Sequence, residues 1–224
     1  MDASIKNALN ASINAFAEAR TLDASELLQS LNDLFSSDLP YMEKVDDLDA
    51  LIDEAPAYDR LREILFDLLL MNFFSADVQK LEGDYLESEE WEAIEEQTID
   101  RGTELLNLLL YLRECVDEDI EPELEDFLKE FLLVEEDEFQ DEHRIYEPLI
   151  ANQVLVESSY EEIAQVAAKL DPESELAELF YPVMSFFYEP TPQEEDFQEF
   201  SKSAVDRAFD AAVYTLITNY AETN

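Results

Sequence analysis

The chain has 224 residues, 47% of them hydrophobic, and sets 57 acidic side chains against 13 basic ones for a formal net charge of -44. That length buries a substantial core, as one large domain or two small ones, and the charge excludes direct electrostatic affinity for nucleic acid or an anionic membrane. Aromatic content of 11% and repeated Leu, Ile and Phe clusters supply the burial that disordered acidic chains lack, so the chain is read as folded.

Only two glycines occur, Gly83 and Gly102, and most prolines fall near helix starts, a punctuation that predicts an all-α fold. Ile5, Leu9, Ile13 and Phe16 lie on one stripe of a first helix. From Met1 to Ala17 the apolar residues are spaced along that helix, unlike the basic region and apolar run of a secretory signal. Asp23 precedes a second helix, with Glu26 three residues on as in a capping box; Leu27, Leu28, Leu31, Leu34 and Phe35 form its apolar face. Tyr41, Val45, Leu48 and Ile52 mark a third. The fourth follows Pro56, carries Leu61, Ile64, Leu65, Leu68, Leu69 and Met71, and is apolar on most of its circumference, which predicts a central position. Its apolar stretch from Ile64 to Phe74 contains Asp67 and Asn72 and falls well short of the roughly 20 residues that span a bilayer. A fifth helix is expected from about Ser88 to Val116, carrying Trp91, Ile94, Leu105, Leu109 and Leu112.

The second part of the chain repeats this order. Leu61 to Leu65 followed by Met71 to Phe74 resembles Leu176 to Phe180 followed by Met184 to Phe187. Trp91, Ile94, Ile99, Asp100 and Arg101 match Phe197, Phe200, Val205, Asp206 and Arg207 at one constant offset, and Pro56 precedes its helix as Pro172 does. Glu43, Val45 and Leu48 match Glu161, Ile163 and Val166; Leu9, Ile13 and Phe16 match Leu124, Leu128 and Phe131. Four blocks in the same order at spacings of roughly 105 to 120 residues are what an internal duplication predicts, with chance likeness of amphipathic helices as the competing explanation. The reading is a tandem pseudo-repeat of two halves, residues 1–116 and 117–224, of roughly five helices each in one compact unit. The charge belongs to both, with 27 acids against 8 bases up to Cys115 and 30 against 5 after it.

Catalytic signals are almost absent, and the chain is expected not to be an enzyme. Neither glycine has a partner at phosphate-loop spacing. His143 is the only histidine, so a di-metal bundle with two Glu-x-x-His motifs cannot be built; no metal or cofactor is expected. A Cys115 and His143 nucleophile dyad is weighed against a packing cysteine and a surface histidine, and the ordinary reading is preferred. Asp46, Asp47, Asp49 and Asp53 lack the glycine and ligand order of a calcium loop, which leaves a solvated helix face. The single cysteine excludes an intrachain disulfide framework and fits a cytoplasmic setting.

Two features remain. The recurring Arg101 and Arg207 are expected to be structural guanidiniums, Arg101 paired with Glu63 and Arg207 with Glu178. The acidic runs are candidate partner-binding patches: Glu87, Glu89, Glu90, Glu92, Glu95 and Glu96; Glu135, Glu136, Asp137 and Glu138; and Glu194, Glu195 and Asp196. They suggest a non-enzymatic protein of the inhibitor, immunity or antirestriction type, whose carboxylates imitate a phosphate backbone or cover a basic site on a partner protein. Duplex DNA carries one charge per about 1.7 Å, and the carboxylates are numerous enough for such mimicry. The alternatives are a cytoplasmic chaperone or adaptor for a basic or amphipathic segment, or acidity as adaptation to salt.

Overall fold

The apolar stripes fold as helices, and among the residues that the computed structural model describes (1–76, 85, 87–131 and 139–222) every regular element is helical. In chain order the α-helices are α1 (Ala3–Arg20), α2 (Ser25–Ser36), α3 (Tyr41–Glu54), α4 (Arg62–Ala76), α5 (Glu89–Thr98), α6 (Leu105–Glu118), α7 (Leu124–Phe131), α8 (Phe139–Ala151), α9 (Tyr160–Ala167), α10 (Phe180–Tyr188), α11 (Glu194–Ser203) and α12 (Arg207–Ala221). Short 3-10 turns at Pro56–Leu61 and Gln153–Glu157 lead into α4 and follow α8. None of these helices is long and apolar enough to cross a membrane.

With glycine so scarce, other side chains set the helix ends. Asp2 starts α1 by accepting the Ser4 N–H at 2.9 Å. Its end is a left-handed residue, Thr21 at φ 57°, followed by the Leu22 N–H donating back to the Ala17 carbonyl at 2.8 Å, a Schellman closure without the usual glycine. Asp119 at φ 56° closes α6 in the same way, with Ile120 N–H on the Cys115 carbonyl. At α2 the expected capping box is not formed: Asp23 accepts from Ser25 N–H at 2.9 Å, one residue too early in the helix to reach the N–H of Glu26.

The core is one continuous cluster that draws on helices from both parts of the chain. Helix α1 lies along α12, burying Ile5, Leu9, Ile13 and Phe16 against a helix whose Ala211, Ala212, Val213, Leu216 and Ile217 are also buried. Helix α4 packs among α1, α3 and α6, and its Ile64, Leu65, Leu68, Leu69 and Met71, with Leu61 in the turn that leads into it, are at most 1% exposed, as its all-round apolarity requires. Truncating Leu65 or Leu68 to Ala would therefore cost about 2–5 kcal/mol.

Two expected helices differ. The long fifth helix is broken into α5 and α6, with Gly102 at φ 86° in between. The apolar segment from Leu176 begins as turns, and α10 starts only at Phe180. Pro182 accounts for this, because it has no N–H for the carbonyl of Glu178, which lies four residues earlier.

Candidate protein-interaction surface

Helix α5 shows the acidic surface most plainly. Ser88 caps it by accepting the Trp91 N–H at 3.2 Å, and its anchors are the buried Ile94 and the half-buried Trp91, whose ring lies 5.3 Å from Phe74. Two inward residues fix the rest of the circumference outward: Glu87, Glu89, Glu90, Glu92, Glu95 and Glu96 are all exposed. Tyr85 donates to Glu90 at 3.4 Å, and none of the six pairs with a cation among the described residues. Negative charge suits the first turn of a helix but opposes the dipole near its end, where Glu95 and Glu96 sit.

The other predicted acids are placed differently. Glu194 and Glu195 are exposed at the start of α11, whereas Asp196 is half-buried and accepts the Gln193 N–H at 2.9 Å in a capping box, so that carboxylate has a structural use. Glu135, Glu136, Asp137 and Glu138 lie outside the described residues.

Arginine is drawn instead to a cluster that joins α3, the Pro56–Leu61 turn, α4 and the α5–α6 connection. Arg101 donates to both oxygens of Glu63 at 3.1 Å and to Asp49 at 2.9 and 3.1 Å. Arg62 reaches Asp49, Asp53 and Asp59 at 2.9, 2.6 and 2.8 Å. Asp49 and Asp53 are thus not a free solvated face but ligands of guanidinium groups. The Gly102 N–H donates to Glu63 at 2.8 Å and Thr103 N–H to Asp67 at 3.0 Å, so two carboxylates of α4 hold the helix break. Asp67 is fully buried, and burial holds its carboxyl well above the usual range against the opposing bonds from Thr103.

The second expected pair is corrected. Arg207 is exposed, and among the described residues Glu178 is bound at 2.7 Å by Arg60, which also lies 3.8 Å from Asp206 and stacks 4.2 Å from the Phe209 ring centroid. The side chain that neutralises this site comes from the other part of the chain, which a comparison of local motifs could not reveal. Asp210, buried beneath it, was also missed, although a lone carboxylate ahead of Ala211, Ala212 and Val213 is a signal of sorts. Cys115 is buried at 2% exposure and His143 is half-buried. No group of metal-ligating side chains is found among the described residues.

No protein-family model, curated protein or solved structure matches this chain.

Proposed function

We propose that the protein is a non-enzymatic acidic binding protein of the inhibitor or immunity type, which covers a basic surface of a partner protein. The observation that carries this reading is the end of α5: Glu95 and Glu96 are exposed, without a described cation, and set against the helix dipole. They oppose the stability of their own helix and form no hydrogen bond or ion pair among the described residues, which is expected of side chains kept for a partner. Phosphate mimicry is one form of this activity, because the same carboxylates would occupy a nucleic-acid-binding site. The test is a pull-down with the full chain across a salt series. A basic partner is expected to associate fast at low salt and to be lost steeply as salt rises. Reversing Glu89, Glu90 and Glu92 to Lys is expected to weaken it far more than reversing Asp171, Glu173 and Glu175. Equal effects from both triple variants, or capture of basic proteins in proportion to abundance, would leave acidity as salt adaptation.

We further read the two parts of the chain, residues 1–116 and 117–224, as copies of one helical unit, expected to hold roughly five helices each. Both α4 and α10 are buried, and each is followed by a helix with an acidic first turn and aromatic anchors.

A further inference from the structure

Leu39 stands in the connection between α2 and α3 and is 39% exposed, one of few large apolar side chains left in water among the described residues. It is a shared wall of two hollows. One, of about 500 Å³, lies between the start of α3, α4 and α5, with Met42, Phe73 and Ile94 among its apolar walls and Glu90 at its rim. The other, of about 370 Å³, lies between α2 and α3, with Leu34 and Leu51 in its floor and Asp33, Asp47 and Glu54 around it. These four rim carboxylates are exposed and pair with no described cation. Lys44, the cation in the first wall, is turned to the Phe35 carbonyl at 3.4 Å. Tyr41, also in that wall, is 6% exposed and its buried hydroxyl has no hydrogen-bond partner among the described residues.

We infer that the paired hollows beside Leu39 seat a basic, amphipathic segment of a partner protein. Apolar side chains of the segment enter on either side of Leu39, and its Lys or Arg side chains meet Asp33, Asp47, Glu54 and Glu90. Charge selects this occupant. A second copy of the chain would bring acidic rim against acidic rim, and a neutral apolar segment would desolvate carboxylates and return no cation to them. Anionic lipid and nucleic acid are repelled outright. The inference rests on the acidic-binding reading above and names its partner's chemistry: charge brings the segment in, and the apolar hollows fix which segment stays.

The test uses the full chain, a Leu/Lys peptide with its leucines along one helical face, and an isomer of identical composition with the leucines scattered. Binding is followed by fluorescence anisotropy at low and moderate salt. The amphipathic peptide is expected to bind roughly tenfold tighter than its isomer, and Leu39→Gln to remove that advantage while leaving the isomer's affinity unchanged, a factor worth about 1.4 kcal/mol. Equal affinity for the two isomers, or a Leu39→Gln variant that keeps its helical circular dichroism and still discriminates, overturns the inference and leaves the broader acidic reading standing. Failure of both peptides to bind at low salt sinks both. If Leu39→Gln does not fold, amide exchange on the unaltered chain decides: protection at residues 39–42 and 93–97 by the amphipathic peptide supports the site, and protection elsewhere or nowhere refutes it. Sedimentation of the chain alone runs alongside, and self-association abolished by Leu39→Gln would seat a second copy there instead.

Discussion

Asp210 is 2% exposed, yet its carboxyl is not stranded: one oxygen accepts the N–H groups of Val205 at 2.8 Å and Asp206 at 2.9 Å. Burial nevertheless wins over those bonds and over nearby Arg60, and pushes the group up to about 7. The folded chain therefore holds a proton that the unfolded chain, with an ordinary aspartate, releases between these values. The stability this contributes is fully present below about 3.8 and is lost as pH rises through about 7. Asp210→Asn keeps an oxygen for both N–H groups and removes the titration. Urea midpoints from about pH 5 to about pH 8 are expected to slope less steeply in the variant than in the parent, because the linkage at this site is gone. Parallel slopes would show that Asp210 does not titrate in this window. The arginines give a second contrast. Arg101 is 19% exposed, but its partners Glu63 and Asp49 are 37% and 34% exposed, so water screens the cluster in part. Arg101→Ala is expected to cost about 1–3 kcal/mol, between exposed and buried pairs, and Arg207→Ala less than about 0.5 kcal/mol. Equal losses in chemical denaturation would mean that the cluster around Asp49 is not structural.

The connection between α5 and α6 shows why some elements could be read locally and others not. Helices α1 to α4 were legible because their apolar stripes are set by neighbouring residues and each stripe became a buried face, as Tyr41, Val45, Leu48 and Ile52 did on α3. The break after Thr98 was not, since it depends on Glu63 and Asp67 reaching in from α4, 39 and 36 residues away in sequence. Arg207 was misplaced for the same reason: which cation reaches Glu178 is decided by the packing of the Pro56–Leu61 turn, not by any motif around Arg207. Gly102 is the hinge of this construction. Its φ of 86° disfavours any L side chain, and a Cβ there would lie 2.6 Å from Asp67 Oδ1, which is itself pinned by Thr103. Gly102→Ala is thus expected to cost at least about 1–2 kcal/mol from the left-handed backbone alone, read as a lower urea midpoint. A neutral result would mean that the break re-forms without its carboxylate clamp, and that α4 does not control how α5 is presented.

A chain at -44 repels itself when compact, so its stability is expected to rise with moderate salt as the screening length shortens to about 8 Å. That rise alone does not separate a dedicated binding surface from general acidity, since both carry the same charge. The glutamates of α5 offer a test that does. Glu92 stands three and four residues before Glu95 and Glu96, and like charges at such spacing cost a helix about 0.2–0.5 kcal/mol per pair. The first-turn glutamates recover this through the helix dipole, and the last two do not. Converting Glu95 and Glu96 together to Gln is therefore expected to raise stability at low salt by about 0.5–1 kcal/mol, with the gain fading as salt is added. The same variant is expected to lose affinity for a basic partner. Gain in one property with loss in the other is what an interaction surface maintained against the interests of its own fold must show. Thermal melts across a salt series, paired with partner binding under the same conditions, measure both. A double variant that is less stable at low salt would assign the two glutamates a structural role, and one that is more stable yet binds unchanged would remove α5 from the interface.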